Sequence, residues 1–217
     1  MSFSVILPTL NEKGHIIELI DEISNIFILK KKEFEIIVVD DNSIDGTQDA
    51  VEQHLSDKNY LKLIKRKSNI KNLADALQEG INESKNNFII WMDADFQHPP
   101  KYINNFIEQS ENYDVVISSR FLKKSERYFN SDKLKKEINE NQSYFFNKLC
   151  KLLLFKNLTD YTSGFICIRK AVLQDYILKG YYGDYFVKLL VYLKKNNFKI
   201  IEIPFKDELR ASGFSKT

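Results

Sequence analysis

Asp93 and Asp95 stand one residue apart, directly after the apolar run Phe88-Ile89-Ile90-Trp91-Met92. A run of that length, rich in bulky and β-branched side chains, reads as a buried strand. Side chains at i and i+2 of an extended segment share a face, so the two carboxylates can offer oxygens to one hard cation such as Mg²⁺ or Mn²⁺. The bland alternative is a solvated turn at a strand end, and the pair alone does not decide between them. Pro99 and Pro100 then stop the strand and seed a helix. None of the three histidines stands out as a catalytic base, and His15 and His54 read as surface residues on helices. Cys150 and Cys167 are the only cysteines. They form neither a disulfide framework nor a zinc spacing, and are expected to be buried free thiols in a reducing compartment.

The elements that must position these residues alternate along the chain. Phe3 to Leu7 is an apolar strand closed by Pro8 and followed by Asn11-Glu12, and apolar residues then recur at helical spacing from about Gly14 to Ile28. Phe34 to Val39 is a second strand, Asp40 to Thr47 a turn-rich loop, and a helix runs on to about Leu55. Leu61 to Ile64, the run before Asp93, and Asp114 to Ser119 continue the strands, with helices over Lys71 to Ser84 and Pro100 to Gln109 between them. The pattern predicts an α/β chain with a mainly parallel, doubly wound sheet. Ligands in such sheets sit outside the carboxyl ends of the strands, where the loops Pro8 to Glu12, Asp40 to Thr47 and Asp93 to Pro100 meet. The chain has no G-x-G-x-x-G and no G-x-x-x-x-G-K, which argues against dinucleotide-binding and P-loop chemistry. A diphosphate handled without glycines needs a metal, and the Asp pair meets that need.

Further along, Arg120 to Lys136 holds seven basic side chains and only two acids. This is either a solvated loop or a segment facing an anionic ligand or membrane. Ser143 to Phe155 reads as a helix whose apolar residues suit a core, with Lys148, Lys151 and Lys156 leaving an interfacial placement open. Phe165 to Ile168 and Lys199 to Ile203 are expected strands, and Asp184 to Lys195 a helix on the same sheet. On composition, the tail from Arg210 to Lys216 reads as a frayed end. With 32 basic against 30 acidic residues the net charge is +2, so nothing global points to nucleic acid. The length of 217 residues suits one large domain. The first residues have no basic n-region and too short an apolar run to read as a signal peptide, and no stretch reaches the roughly 18 apolar residues of a spanning helix.

Six stretches occur in an order that resembles one family: Pro8-Thr9-Leu10-Asn11-Glu12, Val39 to Thr47, Asp93 to Pro100, Ser119-Arg120, Thr162-Ser163-Gly164-Phe165 and Arg210 to Lys216. The resemblance is to the dolichyl-phosphate mannosyltransferase group of the family 2 inverting glycosyltransferases. It implies a GT-A, Rossmann-like fold and a nucleotide-sugar donor, GDP-mannose or a UDP-hexose. It also implies a polyprenyl-phosphate acceptor and a Mg²⁺ or Mn²⁺ cofactor. By the same resemblance Asp93, Asp95 and Gln97 bind the metal, with Asp95 and Arg120 as the catalytic pair. Pro8, Asn11 and Glu12 line the nucleotide pocket, Asp40 or Asp41 meets base or ribose, and Arg210 and Lys216 close on the diphosphate. Arg120, Ser143 and Ser215 meet the acceptor phosphate. Residues 1–120 form the donor half and 121–217 the acceptor half of a single catalytic domain.

The chain departs from that pattern at three places. Leu10 stands where the group often has Tyr, Asn139 where relatives carry an arginine, and Lys188 near an expected acid, with Asp184 as its displaced counterpart. Lys135 or Lys136 would then supply the arginine's charge. Two other functions remain open. One is transfer to a sugar or protein hydroxyl, which needs a general base, with Asp184 the first candidate; the other is nucleotide-sugar binding without catalysis. The expected location is cytoplasmic, peripheral on the cytoplasmic face of a membrane. Many members continue into transmembrane helices where this chain stops, so it is read either as a complete enzyme recruited by a membrane-anchoring subunit or as the catalytic part of a longer one.

Overall fold

The computed structural model describes residues 1–56, 58–67, 71–122, 145–181, 183–206 and 208. Among the described residues seven strands form one sheet: β1 (Ser2–Thr9), β2 (Glu33–Asp40), β3 (Leu61–Lys65), β4 (Phe88–Trp91), β5 (Val115–Ser119), β6 (Ile166–Arg169) and β7 (Ile200–Pro204), in the order β3-β2-β1-β4-β6-β5-β7. The helices are α1 (Ile16–Leu29), α2 (Thr47–Leu55), α3 (Leu73–Glu83), α4 (Ile103–Gln109), α5 (residues 145–153) and α6 (Asp184–Lys195). The expected α/β class, mainly parallel sheet and alternation of elements are all present. What the periodicity did not reveal is that β6 runs antiparallel between β4 and β5.

Strand alternation divides the apolar residues into two cores. Phe3, Val5, Leu7, Ile36, Val38, Phe88 and Ile90 face one side, where Leu19, Ile20, Ile23 and Phe27 of α1 and Ile103 and Phe106 of α4 cover them. Ile6, Ile37, Val39, Ile89 and Trp91 face the other, under Ala74 and Leu77 of α3 and Phe186, Leu189, Leu190 and Leu193 of α6. Helix α3 approaches the sheet closely at Gly80, where an added Cβ would stand 2.5 Å from Ile6 Cγ2 and 3.2 Å from Val39 Cγ2. Gly80→Ala is therefore expected to destabilise the chain by about 1–3 kcal/mol despite the better helix propensity of alanine. A melting temperature equal to or above that of the parent would contradict it.

This topology brings every described motif to one edge. Strands β1, β2 and β4 are parallel and end there, as do β5 and β7, while the antiparallel β6 begins there. The segments after Thr9, Asp40, Trp91, Ser119 and Pro204, and the one before Ile166, thus share one rim. None of the described helices is long and apolar enough to cross a membrane.

Candidate functional site

Hydrogen bonds tie the first two loops together. Asn11 adopts a left-handed φ of 55°, which asparagine tolerates well. Its N–H donates to Ser43 Oγ at 2.8 Å, and its Oδ1 accepts from Ile44 N–H at 2.9 Å. Glu12 N–H donates to Thr47 Oγ1 at 2.9 Å. Pro8 lies within β1, half-buried and in register with Val39. Asp40 is fully buried: its Oδ1 accepts from Ser43 N–H (2.8 Å) and Gln48 Nε2 (2.5 Å), and its Oδ2 from Ser43 Oγ (2.5 Å). Its carboxylate therefore builds the loop. Asp41 pairs with the buried Arg66 at 2.7 Å and accepts from Asn72 N–H at 3.0 Å. Arg66 in turn reaches Glu79 at 3.2 Å, so β3 and α3 brace this side of the rim.

His15 is not a surface residue. It is buried, its Nε2 lies 2.7 Å from Glu12 Oε2, and its ring stands edge-on to Phe96 with centroids 6.2 Å apart. The loop after β1 folds Glu12 back onto the start of α1, and the carboxylate draws the imidazole inward. Glu12 and a histidine three residues on, at a helix start, was the readable signal. His54 is partly exposed and bonds Asp21 at 2.9 Å.

The acid pair also departs from the strand argument. β4 ends at Trp91, before the acids, and Asp95 lies in a turn. The two carboxylates consequently meet different surroundings: the Asp93 side chain is 45% exposed, whereas Asp95 is 2% exposed. Phe96 takes a φ of 65°, a conformation costly for a bulky side chain. Three contacts hold it there. Asp95 Oδ1 accepts from Gln97 N–H at 3.0 Å, His98 Nδ1 accepts from Asp93 N–H at 2.9 Å, and Glu208 N–H donates to the Gln97 carbonyl at 3.2 Å. The His98 ring stacks on Phe165 at 4.8 Å and meets Phe205 edge-on at 5.8 Å. His98 is thus the pin between the acid turn and the segments flanking β6 and β7. Tyr185, at the start of α6, lies behind the turn; burial, and then the nearby Asp93 carboxylate, push its phenol well up.

Among the described residues no three His, Cys, Asp or Glu side chains are arranged to hold a metal. The donors present are the hard oxygens of Asp93, Asp95 and the Gln97 amide. Such a set fits a Mg²⁺ or Mn²⁺ that completes its shell with ligand phosphates and water, and not an all-protein cage.

Across the rim, Arg120 follows β5. Its Nε and Nη2 donate to Asp160 Oδ2 and Oδ1 at 2.8 and 2.9 Å, and Nη2 also donates to Thr162 Oγ1 at 2.8 Å. Asp160 is fully buried. Sequence reasoning missed it, although an Asp two residues before a Thr is a local turn signature, realised here as Thr162 N–H donating to Asp160 Oδ1 at 3.0 Å. Behind it Glu202 of β7 accepts from the N–H groups of Thr159 and Asp160, and burial raises its carboxyl.

Asp184 is exposed, pairs with Lys188 at 2.6 Å and accepts from Tyr181 N–H at 3.1 Å. Both cysteines are buried free thiols. Helix α5 departs from the favoured core reading. Only Asn147 and Cys150 are buried on it, while Phe145, Leu152 and Leu153 are about 70% exposed. Asn147 is a polar anchor, donating to Thr162 Oγ1 at 3.1 Å and accepting from Tyr161 N–H. The helix is therefore held by one narrow stripe. Ser143, Arg210, Ser215 and Lys216, with Lys135, Lys136 and Asn139, lie outside the described residues.

The chain is 34% identical, over its full length, to the dolichol-phosphate mannosyltransferase of Pyrococcus furiosus, and spans 59% of that protein. It is 27% identical to an undecaprenyl-phosphate 4-deoxy-4-formamido-L-arabinose transferase of Edwardsiella ictaluri, with 98% of the chain and 62% of the relative covered. The chain thus covers about three-fifths of each relative's length. Its fold superposes on glucosyl-3-phosphoglycerate synthase of Mycobacterium tuberculosis, solved with Mn²⁺, UDP and glucosyl-3-phosphoglycerate. The TM-score is 0.71 at 18% identity, over 98% of this chain and 72% of that one. The same synthase solved with Mg²⁺ and UDP gives a TM-score of 0.66 at 17% identity, with the same coverage. Residues 4–177 match the family described as Glycosyl transferase family 2, and with the strand order and acid turn already in place the chain belongs to that family.

Proposed function

We propose that this chain transfers a hexose of mannose or glucose type from GDP-mannose or a UDP-hexose to a polyprenyl phosphate, inverting the anomeric carbon. The observation that carries the reading is the convergence on one rim of the acid turn, the paired Asn11 and Asp40 loops, and Arg120. Residues 1–120 serve the donor: Pro8, Asn11, Glu12, Asp40 and Asp41 shape the nucleotide pocket, and Asp93, Asp95 and Gln97 hold the cation. When bound, Mg²⁺ or Mn²⁺ supplies charge that stabilises the departing diphosphate. Residues 121–217 serve the acceptor, Ser143 and Ser215 facing its phosphate together with Arg120 from the end of the donor half, while Arg210 and Lys216 close on the donor.

A phosphate oxygen of the acceptor forms the new bond to C1 as the C1–oxygen bond to the nucleoside diphosphate breaks, and that oxygen keeps the bonding pair. Because the acceptor phosphate is already ionised near neutral pH, no strong general base is required. Arg120 orients the acceptor by directed N–H groups, and Asp95 shapes the turn that faces the leaving group. Transfer to a hydroxyl would need a base. The candidate for that task, Asp184, is engaged with Lys188 at the surface, which favours the phosphate acceptor. The names of the two relatives favour it as well.

Attachment to a cytoplasmic membrane face, directly or through an anchoring subunit, fits the exposed apolar residues and lysines of α5 and the free thiols. The decisive experiment offers GDP-mannose, UDP-glucose and UDP-galactose with Mn²⁺ to the purified chain, alongside a short polyprenyl phosphate, a free sugar and no acceptor. The expected product is a β-linked hexosyl prenyl phosphate from one donor. Transfer to the free sugar alone would instead establish a hydroxyl acceptor, and donor binding with no turnover would establish a non-catalytic protein.

A further inference from the structure

Arg120 is the described cationic residue assigned to the acceptor, and its surroundings differ from those of a surface arginine awaiting an anion. Both Nε and Nη2 are committed to Asp160, which is fully buried, and Nη2 also bonds Thr162. Arg120 N–H donates to the same carboxylate at 3.2 Å, so backbone and side chain are fixed by one group. The guanidinium stands 5.5 Å from the Phe121 ring centroid, and the side chain remains 27% exposed.

Asp160 is itself braced from two directions. Glu202 on β7 accepts from Asp160 N–H at 3.0 Å, from Thr159 N–H at 2.9 Å and from Thr159 Oγ1 at 3.0 Å. Thr159 Oγ1 in turn lies 2.6 Å from Ser119 Oγ, next to Arg120 in the chain. From the other side Asn147 of α5 bonds Thr162 and Tyr161. A buried acid with this many fixed partners is costly to build for a surface ion pair, which is worth little. A bidentate carboxylate instead gives an arginine one orientation.

We infer that Asp160 is a positioning residue, braced by Glu202 and by Asn147, that holds Arg120 in the one orientation from which it meets the acceptor phosphate. The inference rests on the acceptor reading above. It carries a consequence for charge. The Arg120–Asp160 pair is neutral as a unit, so Arg120 supplies direction while the attraction of the anion falls to other basic groups. Asp160 substitutions should therefore change turnover of bound acceptor more than acceptor capture.

The test compares Asp160→Asn, Glu202→Gln and Arg120→Gln in transfer to a short polyprenyl phosphate, with donor binding followed by calorimetry. Misplacement of a substrate-orienting group by an ångström costs on the order of 10²-fold. Asp160→Asn is expected to lower kcat by about that factor, Glu202→Gln by about tenfold, with donor affinity and acceptor KM within about twofold of the parent. A merely structural role would lower melting temperature and donor affinity together, and that result would overturn the inference. The pairing is also read without activity: the Arg120 Nε–H resonance should be protected from exchange in the parent and lose protection in Asp160→Asn. Unchanged protection in Asp160→Asn would overturn the inference. Full kcat in Asp160→Asn beside a crippled Arg120→Gln would overturn it while leaving the acceptor reading intact. Full activity in Arg120→Gln would remove the acceptor role of Arg120 and the inference with it.

Discussion

Asp95→Asn is expected to reduce sugar transfer by about 10³-fold or more while leaving the melting temperature of the ligand-free chain close to that of the parent. Asparagine keeps the shape of the side chain and an Oδ1 that can accept from Gln97 N–H, the bond that closes the turn at 3.0 Å. What it loses is the charge that the proposed cation site requires. Stabilising a departing diphosphate by a bound cation is worth several kcal/mol, and each ~1.4 kcal/mol is a factor of ten in rate. Chelation of the parent with EDTA should reproduce the loss, and added Mn²⁺ should restore the parent but not Asp95→Asn. Asp93→Asn should behave differently. Its side chain is 45% exposed, so the remaining shell can be filled by water and excess Mn²⁺ should recover part of the activity. Initial rates at saturating donor across a Mn²⁺ titration check all three, and transfer at the parental rate by the double variant lacking both acids would refute the cation site.

The contrast between those two acids also marks where sequence reading stops. The strand before them, the proline stop and the helix after it follow from residue type, because bulky runs, proline and helical spacing act locally. The direction of β6 does not. Ile166–Arg169 is four residues long, and its antiparallel seat beside β4 is fixed by pairing with residues 75 to 81 positions away in sequence, Ile90 with Cys167 among them. The environment of Asp95 depends on that placement, since Phe165 and His98 stack only when β6 enters at the rim. Asp160 was missed for the same reason: its partners Arg120 and Glu202 lie 40 and 42 residues away. The fold class and the rim loops were legible. The spacing of Glu12 and His15 signalled their pairing, but the burial of His15 was not legible, because it depends on how a short loop closes.

Leu152→Glu combined with Leu153→Glu is expected to weaken attachment to anionic vesicles by about 10²-fold while leaving transfer to a detergent-dispersed short-chain acceptor unchanged. The two leucines are 73% and 69% exposed, so the folded chain gains little from their apolar character and the substitution costs little stability. Burying them at a headgroup boundary is worth about 3 kcal/mol together, which corresponds to about 10²-fold in affinity. Lys148 and Lys151 are exposed on the same helix, and each lysine near an anionic surface adds about 1 kcal/mol that salt screens. Binding should therefore fall as salt rises, and removing the leucines should leave a residual component that salt abolishes. Co-sedimentation with phosphatidylserine vesicles at two salt concentrations reads both effects. If the parent does not sediment at low salt, α5 is covered by something other than lipid, and a concentration-dependent rise in mass by equilibrium sedimentation would identify a second copy of the chain. The anchor of α5 makes lipid the better match: Asn147 ties it to Thr162, which also bonds Arg120. On the proposed acceptor reading, a helix that settles on a membrane would thereby set the height of Arg120 above the surface from which a prenyl phosphate would arrive.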